Sequence, residues 1–385
     1  MDFLSSYKSH FTQFFTPTQF EALRILLWLL MVHKQVIIER LAACFPLPIL
    51  YDSRRKHIQR FLVLSALSVS SLWFSLIKVI LYKEFKIGSC LIITIDRTQW
   101  QYKNVFVIAV IWKKRALPIY WNLLSKKGAS NLSEQQALIK PVLPMFKNYE
   151  LVIIGHREFQ SIKLGYWLKQ KANNQKLFFA FRQKQGTLHR KNNQGYQSFS
   201  DLNLAPGMKM FLTGVSVTKE KGFGKFNVGA YWKRKYIGKQ EKQPWFILTN
   251  LNSLEGVDQV YRARAGIEAM FKDCKTGGYN LEGSKANTQR LTSLILLIAI
   301  AYTSTSLKGK IFRQTNQAKY LARLTEKSRR GRRHSNFWLG LYGSLWINAW
   351  EFCSDFIQIM MNNNPQKLTN YQRGLNAMSL RELAI

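Results

Sequence analysis

The spacing of apolar and polar residues predicts a helical beginning to the chain. Between residues 20 and 44 the apolar positions recur at helical spacing, and the proline-bounded turn FPLP follows at 45–48. The basic segment Ser53–Arg60 then leads into an apolar stretch at 61–82, which predicts one long helix. We therefore expect residues 1–88 to form a small helical unit.

After Gly88 the pattern changes to short, β-branched apolar runs that are typical of buried strands. The first run, Cys90–Ile95, ends on Asp96. The further strands are predicted over residues 104–112, 117–124 and 150–154, with helices over residues 133–146 and 158–171. Strands alternating with helices in this way predict a mixed α/β fold.

Residues 173–243 differ from their surroundings because glycine, basic and aromatic residues alternate there. This pattern predicts a β-rich insertion with a basic face. The segment 244–250 is then expected to return as a strand of the main sheet. Helices are predicted over Leu254–Lys275 and Thr288–Leu307, and a basic run at Arg323–His334 is either a DNA contact or a solvated loop.

The charge of the chain points to a polyanionic partner. The 57 Lys and Arg residues outnumber the 21 Asp and Glu residues and give a net charge of +36. An excess of this size predicts nucleic acid first and an anionic membrane surface second. The charge-free runs Phe61–Ile77 and Leu291–Leu307 are short for a membrane span and contain several Ser or Thr residues. We therefore interpret them as core helices and expect no membrane partner. The four cysteines lack CxxC spacing and indicate thiols in a reducing compartment, so we expect a cytoplasmic protein.

Two acidic residues, Asp96 and Glu268, lie in sequence contexts that suggest a catalytic or metal-binding role. Asp96 follows an apolar strand, where a carboxylate is costly unless it is paired, hydrogen-bonded or bound to metal. On a continuous helix, Tyr261, Arg264, Glu268 and Lys275 would lie within roughly 60° of one another. An acid on a central strand and an acid on a late helix suit two divalent ions that clamp a phosphodiester. For residues 261–275, the alternative to a functional site is an amphipathic helix with a charged edge.

Three motifs in order along the chain resemble the insertion-sequence transposases of the IS4 family, which belong to the DDE group. They are ITIDRTQW around Asp96, GHREF at 155–159, and the spacing Tyr261-x2-Arg264-x3-Glu268-x6-Lys275 followed by GGYNLEG. The resemblance extends over residues 50–310. It implies an RNase H-like mixed sheet flanked by helices and interrupted by a β-rich insertion, with a helical N-terminal DNA-binding unit.

The resemblance also implies an activity and its partners. Such a transposase hydrolyses a DNA strand at the element ends and then transfers the 3′-hydroxyl end to target DNA. Two Mg²⁺ or Mn²⁺ ions are the implied cofactors. The implied partners are double-stranded DNA, as terminal inverted repeats and target, and a second copy of the chain in a homodimer on DNA. The implied location is the bacterial nucleoid.

Site roles follow from the motif positions. Asp96 would be the first metal-binding acid and Glu268 the last, while Tyr261, Arg264 and Lys275 would grip the terminal phosphates. Arg157 in the GHREF motif is expected to contact DNA phosphate as well. The domain boundaries implied are a helical DNA-binding unit at 1–88, an RNase H-like core at 89–172 and 244–310, the insertion at 173–243, and a basic helical region at 311–385.

The motif departs from the family at one position. His156 stands where the family has the second acid, and an imidazole cannot bridge two ions as a carboxylate can. Neither Glu158 nor Asp201 clearly replaces that acid. We therefore expect impaired catalysis, with a variant site that uses Mn²⁺ or Glu158 as the alternative. Four readings are weighed: a working transposase, a DNA-binding derivative that no longer cuts, an RNase H-type nuclease and a membrane-associated protein. The Tyr-Arg-Glu-Lys motif disfavours the nuclease, and the charges and the Ser or Thr residues in and around the two apolar runs disfavour the membrane-associated protein.

Overall fold

The computed structural model describes residues 3–100, 103–124, 128–172, 176–191, 195–234, 241–326 and 331–379. The chain divides into two compact units. A helical unit comprises Met1–Leu76 and Lys272–Ile385, and a sheet unit comprises Ile77–Phe271. The N-terminal and C-terminal helices therefore belong to one unit. The other predicted domain boundaries stay predictions.

The helices range from 4 to 27 residues in length. They are α1 (Phe3–Ser6), α2 (Lys8–Phe11), α3 (Pro17–His33), α4 (Ile38–Ala43), α5 (Tyr51–Phe61), α6 (Phe74–Glu84), α7 (Leu132–Ile139), α8 (Ile162–Lys171), α9 (Leu254–Arg262), α10 (Ala265–Cys274), α11 (Thr288–Gln314), α12 (Ala318–Leu321), α13 (Asn336–Asn362) and α14 (Leu368–Ser379). The strands are β1 (Cys90–Trp100), β2 (Lys103–Trp112), β3 (Arg115–Leu124), β4 (Glu150–Gly155), β5 (Leu177–Arg182), β6 (Leu188–Arg190), β7 (Gln197–Ser198), β8 (Lys209–Val217), β9 (Phe226–Tyr231) and β10 (Trp245–Thr249).

The ten strands form one mixed sheet in the order β3-β2-β1-β4-β5-β10-β9-β8-β6-β7. Strands β1, β2 and β3 form an antiparallel meander, whereas β4 and β5 run parallel to β1. The remaining strands pair antiparallel. The predicted mixed α/β chain, with a large mixed sheet and flanking helices, is confirmed.

The segment predicted as an insertion is continuous with this sheet. Strand β5 lies within residues 173–243 but pairs in parallel with β4, and β10 pairs with both β5 and β9. Buried apolar residues on both faces explain why β4 and β5 occupy the middle of the sheet. The predicted return of residues 244–250 to the main sheet is thus observed as β10.

Two long helices predicted from the sequence are interrupted. The stretch 61–82 is not one helix, because α5 ends at Phe61 and helical structure resumes only after Ser68. Ser68 accepts a hydrogen bond from the Ser71 amide and so caps a π-helical turn that continues into α6. The predicted helix Leu254–Lys275 is likewise two helices, α9 and α10, with a break at residues 263–264.

The helical unit is built around α11 and α13. These two helices approach so closely at Gly309 and Gly340 that an added Cβ would collide with the backbone of the opposite helix. By length and composition α11 is able to cross a membrane, but 83% of its most apolar window is buried within the protein. The core helix of a globular protein meets the same criterion. Of the basic run Arg323–His334, residues 327–330 lie outside the described residues.

Candidate active site

Asp96 lies in the middle of β1 and not at its end, which corrects the sequence-based expectation. The strand continues to Trp100 because it stays paired with β2, where Asp96 faces Val107 in register. On the other side β4 stops at Gly155, opposite Ile95. Asp96 therefore lies one residue beyond the level at which the neighbouring strand β4 ends, and it is 5% exposed.

His156 lies beside Asp96. It directly follows the last residue of β4, and its Nε2 lies 3.5 Å from Asp96 Oδ1. Its Nδ1 is buried and has no hydrogen-bond partner within the described residues. The parallel register of β1 and β4 thus brings the first acid and the substituted second position together, as the motif positions imply.

Arg264 connects Asp96 to Glu268. The break between α9 and α10 places Arg264 just before α10, where its Nη1 lies 3.2 Å from Asp96 Oδ2. Its Nη2 donates to Glu268, one turn into α10. Burial raises the pKa of the Asp96 carboxyl above its usual value, while His156, the Arg97 amide and Arg264 favour its charged form. The two acids therefore meet through a guanidinium and not through direct contact.

The approach of α10 depends on a glycine. A Cβ at Gly266 would lie 2.9 Å from Ile111 Cδ1 and 3.0 Å from the carbonyl of Arg115, at the β2–β3 turn. Such distances require a neighbour to shift, so a larger residue would push the first turn of α10 away from the sheet. Gly266 thereby allows the first turn of α10, which carries Glu268, to lie against the β2–β3 turn.

Tyr261 is held at the same site by packing of α9. Val257 and Tyr261 pack with residues of β4, β5, β9 and β10 in one buried cluster. The Tyr261 ring is 2% exposed, and its hydroxyl has no hydrogen-bond partner within the described residues. Burial raises the pKa of Tyr261 to about 12, so the phenol is neutral near pH 7. A buried hydroxyl without a partner is available to donate to an incoming oxygen atom.

Glu158 is engaged by Ser130 and Arg97. It lies in a 3-10 turn, ahead of α8, and its Oε1 accepts from the Ser130 amide and hydroxyl at 2.8 and 2.7 Å. Its Oε2 accepts from Arg97 Nε at 2.9 Å, and Arg97 also donates to Asn104. Burial opposes ionisation of Glu158, but these donors outweigh it and lower its pKa. Its role is to anchor the loop before α7 to β1.

The remaining predicted residues are placed as follows. Arg157 lies beside the Gln243 side-chain amide, whose oxygen accepts from the guanidinium when the amide is oriented to suit it. Lys275 belongs to the helical unit, where its Nζ lies 2.6 Å from Glu282 Oε1. The four-residue motif is therefore not a stripe on one helix. Asp201 hydrogen-bonds the Ser198 amide and caps a short turn, which gives it a local structural role.

The arrangement of the acids does not fit a two-ion centre. The Arg264 guanidinium contacts the carboxylates of both Asp96 and Glu268, so the two acids are already paired with a cation of the protein itself. Within the described residues, no group of three or more His, Cys, Asp or Glu side chains is placed to hold a metal ion. A pair of ions coordinated by Asp96 and Glu268 would require Arg264 to leave both of them.

Sequence reasoning missed two basic residues at this site. Arg97 is held by Glu158 directly after Asp96, and Arg182 ends β5 next to β4. Arg97 could have been found from the motif ITIDRTQW, where it directly follows Asp96. Arg182 gave no signal because it lies in the segment predicted as an insertion, and only strand pairing brings it to the site.

Residues 131–304 match the family model described as the transposase DDE domain. This segment is less than half of the 385-residue chain, and it contains His156, Arg264 and Glu268 but not Asp96. Among solved structures, the chain is similar to a piggyBac transposase in a synaptic complex with hairpin DNA, at 16% identity and a TM-score of 0.40. That similarity covers 76% of this chain and 59% of the other. No curated protein matches the chain. The family match supports a DDE transposase family.

Proposed function

We propose that this chain is a DNA transposase of the DDE group and of IS4 type, which binds the ends of its element and acts on their phosphodiester bonds. The observation that carries the proposal is the meeting of Asp96, His156, Arg264 and Glu268 in the sheet unit. The match to the transposase DDE domain covers the last three of these residues. The meander followed by two parallel strands supports an RNase H-like core for the same unit.

The residues of the site suit a phosphodiester. Arg264 presents a guanidinium, and the Tyr261 hydroxyl is buried and unpartnered within the described residues. Guanidinium and hydroxyl donors in a site that excludes water stabilise the charge that develops on a phosphoryl group. Asp96 and Glu268 supply two carboxylates, both in contact with the Arg264 guanidinium. The net charge of +36 favours DNA as the source of that phosphodiester.

We also propose that His156 lowers the rate of cutting. The imidazole brings no negative charge and one free nitrogen, where the family places a carboxylate. Glu158 is held by Ser130 and Arg97 and takes no part in compensation. The DNA-binding derivative that no longer cuts is therefore the second candidate. The Arg264 guanidinium favours this candidate, because it is paired with both Asp96 and Glu268 where metal ions would otherwise bind.

A cleavage assay tests the proposal. The full chain is incubated with duplex DNA carrying the terminal repeats that flank its gene, in Mg²⁺ and separately in Mn²⁺. We expect His156→Asp to cut at least about tenfold faster than the parent in Mg²⁺, because a carboxylate offers the oxygen ligand that Mg²⁺ prefers, and even changes in the groups around a metal's ligands alter activity by about 10–100-fold. Asp96→Asn serves as the inactive control.

Each outcome decides between the candidates. If the parent cuts in Mg²⁺ as fast as His156→Asp, the impairment assigned to His156 is wrong. Binding of the ends without cutting by either protein would establish the DNA-binding derivative. If neither protein binds the ends, the transposase assignment itself fails.

A further inference from the structure

The turn between β2 and β3 carries two lysines in a backbone conformation that rarely accommodates them. Trp112 pairs with Arg115, so Lys113 and Lys114 form a two-residue loop. Both lysines have a positive φ, 50° and 69° respectively. Hairpin loops of this kind favour Asn-Gly or Gly-Gly, because a Cβ crowds the backbone when φ is positive. Two lysines therefore make this turn less stable than the residues that usually form it.

Contacts hold the turn in place at both of its ends. On the β2 side, Trp112 Nε1 donates to Glu84 Oε2 of α6 at 2.9 Å. On the β3 side, the carbonyl group of Arg115 meets α10 at Gly266, where an added Cβ would lie 3.0 Å from it. All of these residues belong to the sheet unit. Packing on both sides leaves the turn little freedom to relax its backbone.

Internal contacts do not account for the lysine at position 114. Lys113 and Lys114 are both exposed, and Lys114 forms no ion pair with any residue that the structure describes. Strained backbone persists where the residue serves a purpose that a less strained residue could not serve. An ammonium group has such a purpose in a chain of net charge +36, because a chain of that charge attracts a polyanion.

The turn lies on the same sheet as Asp96 but well apart from it. Asp96 faces Val107 of β2, and Lys113 comes six residues later, at the end of the same strand. At about 3.4 Å per residue, the two positions are about 20 Å apart along the strand. Duplex DNA also advances about 3.4 Å per base pair, so DNA held at Asp96 covers this distance in about six base pairs. The turn can therefore contact DNA beyond the bond that the acids reach.

We infer that the β2–β3 turn is a second DNA-contacting element, in which Lys114 binds a backbone phosphate about 20 Å from Asp96 without reading the base sequence. The inference rests on the proposed function, because it takes DNA as the partner. The lysine is kept at the expense of hairpin stability. Its charge adds affinity for duplex DNA of any sequence.

Three substitutions at position 114 separate charge from backbone strain. Lys114→Gln removes the charge and keeps the strain, Lys114→Gly removes both, and Lys114→Arg keeps both. The parent and each full-length variant are titrated by fluorescence anisotropy over a range of salt concentrations. The probes are the terminal-repeat duplex and a scrambled duplex of the same length. Thermal unfolding of each protein is followed by circular dichroism.

Loss of the charge should weaken binding, whichever residue replaces the lysine. Lys114→Gln and Lys114→Gly should both bind the two duplexes about five- to tenfold more weakly than the parent at about 0.1 M salt. Their plots of log K against log salt should be shallower by about 0.9, the contribution of one phosphate contact. Lys114→Arg should bind as the parent does. Only Lys114→Gly should raise the melting temperature, by about 2–4 °C, because glycine adopts a positive φ without strain.

Lys163→Gln is the matched control. It removes one positive charge from the same unit, but Lys163 is already paired with Glu220 at 3.2 Å. Its affinity and salt slope should equal those of the parent. A loss as large as that in Lys114→Gln would reflect net charge alone and would overturn the specific contact.

The remaining outcomes separate this inference from the function on which it rests. Lys114→Gln with the affinity and slope of the parent overturns the contact and leaves the transposase proposal standing. A loss confined to the terminal-repeat duplex overturns the sequence-independent contact, and an unchanged melting temperature in Lys114→Gly overturns the strain argument. A parent that binds neither duplex refutes the proposed function.

Discussion

Arg264 Nη1 lies 3.2 Å from Asp96 Oδ2, and the same guanidinium donates to Glu268. The Asp96 side chain is 7% exposed, so this contact lies largely out of water. The guanidinium compensates a buried charge that would otherwise depend on His156 and the Arg97 amide. Arg264 thus contributes to the stability of the free protein.

Arg264→Met should therefore lower the free energy of unfolding by about 2–4 kcal/mol, because removal of one partner leaves a buried charge uncompensated. Urea denaturation followed by circular dichroism measures the change. The double variant Arg264→Met with Asp96→Asn should recover part of the loss. Arg262→Met, which breaks a pair whose arginine is 60% exposed, should change it by less than about 1 kcal/mol. An equal loss in both single variants would contradict the compensating role.

Glu158→Gln should destabilise the sheet unit by about 1–3 kcal/mol. The carboxylate accepts from three donors on Ser130 and Arg97, and an amide nitrogen in its place would face those donors. Thermal unfolding provides the measurement. Glu220→Gln is the matched control, since Glu220 forms an exposed pair with Lys163 and should have little effect. Unchanged stability in Glu158→Gln, with weaker Mn²⁺ binding, would instead make Glu158 a metal ligand.

Tyr261→Phe should leave stability unchanged or raise it slightly, because the hydroxyl it removes is buried without a partner in the described residues. Its affinity for the terminal-repeat duplex should fall about tenfold, since a hydroxyl that donates to phosphate is lost. Fluorescence anisotropy measures that affinity. Tyr231→Phe removes a second buried hydroxyl whose leading charged neighbour is Asp258, and DNA binding should be retained there. Equal affinities in all three proteins would exclude donation from Tyr261.

Gly266→Ala should destabilise the chain by about 1–3 kcal/mol, because the new Cβ meets Ile111 and the backbone of Arg115 at about 3 Å. It should also slow any DNA cutting, since α10 and Glu268 would be displaced. Chemical denaturation and the cleavage assay provide the two readouts. Gly374→Ala in α14 meets nothing within 4 Å and should stabilise its helix by up to about 1 kcal/mol. A neutral Gly266→Ala would show that α10 has room to move.

The mixed sheet was predictable because its strands are short apolar runs with β-branched residues, separated by clear turns. The motifs around Asp96, His156 and Glu268 also named the residues that meet. The interruption at residues 263–264 was not predictable, because no proline lies there, a single Gly266 two residues later is tolerated within helices, and the surrounding residues keep helical spacing. The end of α9 is decided by packing of Tyr261 against the sheet and by the contacts of Arg264.

The sequence by itself determined the class of fold, the expectation of a polyanionic partner and the presence of a histidine in the GHREF motif, since each depends on residue type, local spacing or total charge. Only the tertiary structure decided what surrounds these residues. Strand register set Asp96, His156 and Arg182 in one row, and a guanidinium came to lie between the two acids. Contacts between residues far apart in the chain depend on the pairing of strands and the seating of helices, and no local pattern of residues encodes them.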